Sequence, residues 1–240
     1  INQIARKRNL LVIEDAAHAL GAEYKDSKIG SCEYSEMTIF SFHPIKSITT
    51  GEGGAVTTNQ KDLYEKLLLF RNHGITRDKY KIKRYGGPWY YEMQALGFNY
   101  RLTDFQCALG LSQLKKLTNS IERRRQIADI YLRSLSSIDG VGLPLERKYI
   151  KSSWHIFVIR IKRRRKVFEE LWKAGVGVNV HYIPVYRQPF YRTLGYNKED
   201  AFPEAERYYR EAITLPLYPS MQKSDIAYIV EHLKATITYE

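Results

Sequence analysis

Three short apolar runs near the start of the chain restrict its fold more than any other feature. Each run is too short for a buried helix, and each is followed by polar residues or by glycines. Such runs are typical of strands buried on both faces of a parallel sheet. A helix is predicted over residues 61–71, because Leu63, Leu67 and Phe70 fall on one helical face. Strands that alternate with helices predict an α/β fold. The three runs are Leu10 to Ile13, residues 37–43 and Ala55 to Thr58.

The remainder of the chain predicts further helices and a second domain. Thr103 and Gln106 have the spacing of a capping box, so a helix should begin there and continue to about residue 117. Another helix is predicted over 120–136, and the domain boundary is placed between the two, which gives residues 1–118 and residues 119–240. The predicted core-facing stripe of the first helix contains Phe105, Ala108, Leu109, Leu114 and Leu117.

The second domain is predicted to be a small α+β unit. Strands are expected over residues 154–161 and Val176 to Val180, where the sequence is apolar. Helices are expected over residues 165–174, 203–213 and 225–235, the first ended by Gly175 and the last capped by Ser224.

The first residues of the sequence predict the end of an amphipathic helix. Ile1, Ile4 and Ala5 form its apolar side, and the run from Arg6 to Asn9 has the basic residues and the asparagine that suit a helix C-terminus. A strand follows at once. We therefore expect the sequence to begin partway through an α/β unit, with an N-terminal portion of the fold missing.

Composition excludes several classes of protein. The chain is 44% hydrophobic and 27% charged, which is typical of a globular protein and excludes disorder and collagen. Its two cysteines, Cys32 and Cys107, are too few for a disulfide scaffold or a four-thiolate metal site, and a reducing cytoplasm is the expected compartment.

The net charge of +12 has two interpretations. It could mark a nucleic-acid-binding module, or a basic enzyme that takes an anionic substrate. The runs Arg123 to Arg125 and Arg163 to Arg165 fall in predicted helices, where basic residues usually form a solvated face. The enzyme interpretation is therefore favoured.

Two residues near the first apolar run are candidates for chemistry. Asp15 follows the run directly, and the carboxyl ends of strands are where open α/β sheets bind ligands. An aspartate there can equally be the N-cap of a following helix. His18 lies three residues further on and would face the same way on a helical turn, although a single histidine is more often a structural hydrogen-bonding group.

Lys46 follows the second apolar run and precedes the glycine-rich stretch Gly51 to Gly54. A lysine confined in a site can lose its proton and attack a carbonyl, whereas a lysine that extends to solvent does no chemistry. The glycines do not match a P-loop. A carboxylate at one strand end and a lysine at another form the pair that pyridoxal 5'-phosphate requires. The lysine holds its aldehyde as a Schiff base, and the carboxylate keeps its pyridine nitrogen protonated.

Three segments in this order resemble the DegT/DnrJ/EryC1/StrS family of pyridoxal-phosphate-dependent sugar aminotransferases. They are VIEDAAHALGA, SFHPIKSITTGEGGAVTTN and LGFNYRLTDFQCALGLSQL. The later segments SSWHIFVIRI, VHYIPVYRQPFY and ITLPLYPSM are similar to the small C-terminal domain of that family. The resemblance implies that residues 1–118 are the latter part of a large domain of fold type I. It also implies that a phosphate-binding turn and a ring-stacking segment of the family precede this sequence.

The resemblance also implies roles for individual residues. Lys46 matches the Schiff-base lysine, and Asp15 matches the partner of the pyridine nitrogen. His18 falls near the ring hydroxyl of the cofactor, and Ser41 matches a residue that binds its phosphate. Asn99 matches a residue that reaches the phosphate from the neighbouring subunit of a homodimer with shared active sites. His181 and Tyr182 fall in a segment that borders the substrate pocket.

The activity that this resemblance implies is transfer of an amino group from L-glutamate to a nucleotide-linked keto-sugar. The segments SFHPIKSITTGEGG, GLSQLKKL and HYIPVYRQPFY are most similar to members that act on UDP-linked 4-keto-6-deoxy sugars. Sugar dehydratases of the same family carry histidine in place of the lysine, so Lys46 disfavours that activity. A catalytically silent fragment of the same fold, or transfer to another nucleotide-linked keto-sugar, remains an alternative.

Overall fold

The computed structural model describes residues 1–196 and 199–238 and divides into two compact units, Ile1–Leu117 and Thr118–Glu240. Among the described residues, no helix has both the length and the apolar character needed to cross a membrane. The elements of the first unit, in chain order, are α1 (Asn2–Lys7), β1 (Ile13–Asp15), β2 (Glu23–Tyr24), β3 (Ser27–Lys28), β4 (Met37–Ser41), β5 (Gly54–Thr57), α2 (Lys61–Phe70), β6 (Ile75–Thr76), β7 (Glu92–Met93) and α3 (Asp104–Leu114).

The main sheet of the first unit has the strand order β1-β4-β5. β1 is parallel to β4, as the sequence predicts, but β5 is antiparallel to β4. The predicted parallel orientation of the third apolar run is therefore wrong. A parallel return would require a crossover connection, usually a helix, and residues 42–53 contain none.

One face of this sheet is buried and the other is exposed. Thr38 and Phe40 point inward and are 0% and 6% exposed. The register places Ile13, Ile39 and Val56 on the opposite face, where they are 53%, 40% and 40% exposed. The prediction that the strands are buried on both faces is wrong for the described unit. β1 also begins at Ile13 rather than at Leu10.

The helix end predicted at the start of the chain is confirmed. α1 ends at Lys7, and Asn9 has a φ of 49°, in the left-handed region that asparagine tolerates. This turn directs the amide of Leu10 to the carbonyl of Ala5 at 2.9 Å, and the same carbonyl accepts the amide of Arg8 at 3.0 Å.

The predicted capping box is also confirmed. Thr103 accepts a hydrogen bond from the amide of Gln106, and the Gln106 side chain returns to the amide of Thr103. The predicted core-facing stripe is wrong, because no residue of α3 is buried and Phe105 is 90% exposed. Periodicity identifies an apolar helix face, but it does not identify what covers that face.

The elements of the second unit begin at its boundary with the first. They are α4 (Leu117–Leu135), β8 (Val141–Gly142), β9 (Ile150–Lys151), β10 (Phe157–Ile161), α5 (Arg164–Lys173), a 3₁₀ turn (Val185–Arg187), α6 (Pro189–Thr193), a second 3₁₀ turn (Glu199–Ala201), α7 (Pro203–Glu211), β11 (Ala212–Leu215) and α8 (Lys223–Thr238). The antiparallel order β11-β10-β8 forms its sheet. Side chains from α4, α5, α8 and these strands form one hydrophobic core, with Tyr131, Phe157, Ile159 and Leu171 completely buried.

Two local predictions for this unit are wrong and one is confirmed. Gly175, with a φ of 77°, follows the end of α5 as expected. Residues 176–180 form no strand and make only one isolated bridge, between Asn179 and Thr214. Ser224 is not a cap because α8 already begins at Lys223. The Asp225 carboxylate accepts the amide of Gln222 at 2.8 Å instead.

Arg124 contradicts the expectation that the run Arg123 to Arg125 is a solvated face. It is only 6% exposed, and its Nη1 donates to the carbonyls of Leu217 at 2.9 Å and of Trp154 and His155 at 3.3 Å. Burial lowers the pKa of Arg124. The guanidinium therefore joins α4 to two distant segments, and the carbonyls compensate part of its lost hydration.

Tyr131 provides a test of this core. It is 0% exposed, and its hydroxyl donates to the carbonyl of Pro216 at 2.9 Å. Burial raises the pKa of Tyr131 above its ordinary value of 10.0, so the folded state favours the neutral phenol. The stability that the neutral phenol contributes to the folded state is complete below about pH 10 and is lost as the pH rises toward the folded-state pKa.

We expect Tyr131→Phe to lower the free energy of unfolding by about 1 kcal/mol at neutral pH. Between about pH 10 and pH 11 the wild-type protein should lose about 1 kcal/mol relative to the variant. Denaturant unfolding at both pH values measures this. Tyr228→Phe is the control, since it removes a hydrogen bond from an exposed tyrosine to the carbonyl of Ala174. Equal effects of the two substitutions would contradict the prediction.

Candidate functional site

The parallel pair β1 and β4 brings two of the predicted site residues together. Asp15 pairs with Ile39, and Ser41 lies two residues further along β4 on the same face. Both residues are the last of their strands. A carboxylate and a hydroxyl therefore share one face at the carboxyl edge of the sheet, where ligands bind in open α/β folds.

The segment after Asp15 differs from the predicted helical turn. Residues 16–22 form successive turns without a helix, with the amide of Ala19 bonded to the carbonyl of Ala16. The Asp15 carboxylate accepts the amide of Ala17 at 3.1 Å, which is an Asx turn rather than a helix cap. His18 lies within these turns and is half-buried. The expectation that a helix directs His18 is wrong.

Lys46 lies on a closed loop between β4 and β5. The amide of Phe42 donates to the carbonyl of Gly53 at 2.8 Å, and the carbonyl of Phe42 accepts the amide of Thr50 at 3.0 Å. Inside this loop the amide of Lys46 donates to the carbonyl of His43 at 2.9 Å, which forms a turn. Lys46 is half-buried. The lysine is thus carried by a loop whose two ends are hydrogen-bonded to each other.

Glycines allow this loop to pack tightly. A Cβ at Gly54 would lie 2.6 Å from the carbonyl oxygen of Phe40, and one at Gly53 would lie 2.3 Å from Oγ1 of Thr50. Both distances are shorter than any real contact of a Cβ atom, so larger residues would force the loop ends apart. The glycine-rich stretch is therefore a packing requirement of the Lys46 loop.

Helix α3 holds the same loop from outside. Gln106 Nε2 donates to the carbonyl of Glu52 at 2.9 Å, in addition to its part in the capping box. A Cβ at Gly110 would lie 2.9 Å from Cγ2 of Thr50, so the helix and the loop are in close contact there. Sequence reasoning found the capping box but missed this second role of Gln106, because residues 52 and 106 are related only through the fold.

His43 is a second ionisable group on the loop. Its Nδ1 accepts the amide of Ile45 at 3.3 Å, and its Nε2 lies 3.8 Å from the Glu52 carboxylate. Nδ1 is the acceptor in the first contact, so Nε2 is the ring nitrogen that faces the carboxylate. This contact joins the two sides of the Lys46 loop.

Asn99 lies at the far end of the long segment over residues 72–101. This segment contains only the short antiparallel pair β6 and β7, and an isolated bridge joins Asn72 to Asn99. Arg101 Nη1 donates to Oδ1 of Asn72 at 2.8 Å. The Asn99 side chain is exposed and has no hydrogen-bond partner among the described residues. The structure therefore leaves its amide available for another molecule.

His181 and Tyr182 lie in the second unit. His181 Nδ1 is 2.7 Å from Oγ1 of Thr214 on β11, and the rings of His181 and Tyr182 meet edge to face with centroids 4.5 Å apart. Tyr182 is 56% exposed. One ring of the pair is thus attached to the sheet, and the other extends outward.

A buried ion pair follows in the same segment and was missed by sequence reasoning. Glu206 of α7 is 6% exposed, and both of its carboxylate oxygens accept hydrogen bonds from Arg187. The Tyr186 hydroxyl donates to the same carboxylate at 2.9 Å. These hydrogen bonds, with the Arg187 bond dominant, lower the pKa of Glu206. Nothing in the polar sequence of α7 distinguishes Glu206 from its exposed neighbours.

Known proteins are similar to this chain in sequence and in fold. The profile of the DegT/DnrJ/EryC1/StrS aminotransferase family matches residues 1–234. The uncharacterised protein MJ1066 of Methanocaldococcus jannaschii is 45% identical over 245 residues, which are 99% of this chain and 63% of that protein. The UDP-4-amino-4,6-dideoxy-N-acetyl-beta-L-altrosamine transaminase of Campylobacter jejuni is 38% identical over 238 residues, which are 97% of this chain and 60% of that enzyme.

A solved structure supports the same relationship. Helicobacter pylori PseC, an aminotransferase involved in the biosynthesis of pseudoaminic acid, matches with a TM-score of 0.88 and 33% identity. The match covers 99% of this chain and 62% of that one. The chain thus spans about three fifths of the length of the curated relatives it matches.

The contact between α3 and the Lys46 loop is testable. Gln106→Ala removes the capping-box acceptor and the donor to Glu52, so we expect the free energy of unfolding to fall by about 1 kcal/mol. Amide hydrogen exchange over residues 43–53 should become faster. Gln113→Ala on the same helix is the control, because the Gln113 side chain makes no hydrogen bond within the described part of the chain. Unchanged amide hydrogen exchange of the loop in Gln106→Ala would show that Gln106 does not hold the Lys46 loop.

Proposed function

This chain belongs to the DegT/DnrJ/EryC1/StrS aminotransferase family, and on that premise we propose that its protein transfers an amino group to a nucleotide-linked keto-sugar. The observation that carries the proposal is the edge of the main sheet in the first unit. There Asp15 and Ser41 share one face, and the closed loop that bears Lys46 follows Ser41 directly. An amine, a carboxylate and a hydroxyl are the groups that this chemistry requires.

Aminotransferases of this family use pyridoxal 5'-phosphate. The residues present fit that cofactor, since Lys46 suits its aldehyde, Asp15 suits its pyridine nitrogen and Ser41 suits its phosphate. When bound, the cofactor supplies an electron sink for the carbon that exchanges the amine. In this proposal the first unit binds the cofactor, and the second unit is the small domain.

Each residue has a defined task in this proposal. Lys46 anchors the cofactor covalently and, when released, moves the proton between the reacting carbons through its amine. Asp15, already oriented by its bond to the amide of Ala17, keeps a negative charge beside the ring nitrogen. Ser41 would donate its hydroxyl to the phosphate, and His18 would bind the ring hydroxyl.

The proposed substrates are L-glutamate as amino donor and a UDP-linked 4-keto-6-deoxy sugar as acceptor. The name of the Campylobacter jejuni relative supports the UDP-sugar class. The net charge of +12 suits a diphosphate-bearing substrate, because a positive field attracts it. We propose that His181 and Tyr182 border the site where this sugar binds.

We further propose that the protein is a homodimer in which Asn99 completes the site of the partner. Support comes from the free amide of Asn99 and from the exposed aromatic residues of the same segment. Trp89 and Tyr100 are each 72% exposed, and Tyr80 is 85% exposed. Such surfaces are typical of protein contacts, since large apolar side chains gain most from burial.

The first test concerns the anchor. In the full-length protein, Lys46→Ala should abolish amino transfer while leaving the fold intact, because no other amine holds the cofactor. Borohydride reduction followed by peptide mass mapping should find a phosphopyridoxyl group on Lys46. Lys28→Ala, at an exposed lysine of β3, is the control and should retain full activity. An adduct on a lysine other than Lys46 would refute the assignment.

The second test concerns the shared site. Asn99→Ala and Lys46→Ala proteins should each be nearly inactive, and dimers re-formed from an equal mixture should recover about one quarter of the wild-type activity. The recovery follows because each mixed dimer holds one intact site and one doubly altered site. If Asn99 acted within its own subunit, mixing would restore nothing. Absence of recovery from verified mixed dimers would therefore exclude sharing.

A further inference from the structure

Residues 179–187 form a connecting segment, here called the strap, that is attached to the second unit at both ends. At its start, Asn179 forms an isolated bridge with Thr214, and His181 Nδ1 lies 2.7 Å from Oγ1 of the same threonine. At its end, Tyr186 and Arg187 both donate to Glu206. A segment without regular strand structure is thus held at two points.

The attachment at Glu206 consists of more contacts than the attachment at Thr214. The Glu206 side chain is 7% exposed and that of Arg187 is 28% exposed, so the pair is largely removed from water. Arg187 Nε donates to Oε1 at 2.9 Å, and its Nη2 donates to Oε2. A bidentate contact of this kind fixes both distance and orientation.

Aromatic rings extend this attachment on both sides. The Tyr186 ring stacks on Phe202 with centroids 4.7 Å apart, and the Arg187 guanidinium lies 5.1 Å from the centroid of Tyr209. Arg164 of α5 lies 5.2 Å from the same Tyr209 ring. The end of the strap is therefore joined to α7 by an ion pair, a hydroxyl hydrogen bond and one ring contact, and to Phe202, which precedes α7, by a second ring contact.

Between the two attachments the strap presents its side chains outward. Tyr182 is 56% exposed, Ile183 is 48% exposed and Val185 is 58% exposed. Exposed apolar side chains on a firmly held segment are suited to contact a bound molecule, because little conformational freedom is lost on binding. An unanchored segment of this length would have to be ordered by the ligand itself.

We propose that Glu206 is a positioning residue which, through Arg187 and Tyr186, holds the strap so that His181 and Tyr182 are preset for the keto-sugar. This inference rests on the proposed function. Glu206 does not contact the substrate. Its carboxylate accepts hydrogen bonds from both Tyr186 and Arg187, so its loss removes these bonds from that end of the strap.

The test compares two glutamates of α7 in the full-length protein. Glu206→Gln removes the charge that Arg187 requires, and Glu204→Gln makes the same change in an exposed pair with Arg207 that does not touch the strap. Tyr186→Phe removes only one donor to Glu206 and should give an intermediate effect. Thermal unfolding of each variant shows whether it remains folded.

Two readouts are required. Amide hydrogen exchange over residues 179–187 should become faster in Glu206→Gln and stay unchanged in Glu204→Gln, while exchange in β10 stays slow in both. The KM for the keto-sugar should rise, and kcat/KM should fall roughly 10- to 100-fold, since misplacement of positioning groups costs about that much. The rate of the separate half-reaction with the amino donor should not change.

The outcomes separate the inference from the proposed function. Faster strap exchange together with a selective rise in the KM for the keto-sugar supports the proposal. Exchange equal to that of Glu204→Gln overturns it, and so does faster exchange with an unchanged KM. If the wild-type protein transfers no amino group, the proposed function fails. In that case the positioning role is tested by calorimetry, which measures the affinity of each protein for the UDP-sugar. Equal affinity in the wild type and Glu206→Gln overturns the positioning role. Affinity weakened in Glu206→Gln but not in Glu204→Gln supports it.

Discussion

The parallel pairing of β1 with β4 is the constraint on which the candidate site of the first unit depends. It places Asp15 beside the end of β4, so that a carboxylate and the Ser41 hydroxyl share one face of the sheet. The loop that follows β4 leads into β5, which is antiparallel to β4. The ends of this loop are hydrogen-bonded to each other at Phe42 and Gly53. Lys46 lies in a turn of this loop, with its amide bonded to the carbonyl of His43, only a few residues from that edge.

Around this edge the fold uses groups that serve two purposes. Gln106 completes the capping box of α3 and also holds the carbonyl of Glu52. Gly53 and Gly54 are required less for flexibility than for the close approach of Thr50 and Phe40. Such bracing suits the role proposed for Lys46, since catalysis depends on groups that are held in place before the substrate arrives.

In the second unit, buried charged side chains hold the irregular segments in place through hydrogen bonds. Arg124 is buried against three carbonyls, and Glu206 is buried against Arg187 and Tyr186. Burial of a charge is costly unless its hydrogen bonds are satisfied, so each of these side chains restricts the segments around it to one arrangement. The hydrophobic core supplies the stability, and these polar contacts determine where the loops lie.

The sequence by itself determined features that depend on neighbouring residues or on residue chemistry. The capping box at Thr103, the helix end at Gly175 and the strands β1, β4 and β5 were predictable, because each arises within a few residues. The candidate pair Asp15 and Lys46 followed from the chemistry of a carboxylate and an amine at strand ends. Only the tertiary structure decided the direction of β5, the exposure of Phe105, the burial of Arg124 and the partner of Glu206. Each of these depends on residues distant in the chain, and local periodicity and propensity carry no information about which distant groups will meet.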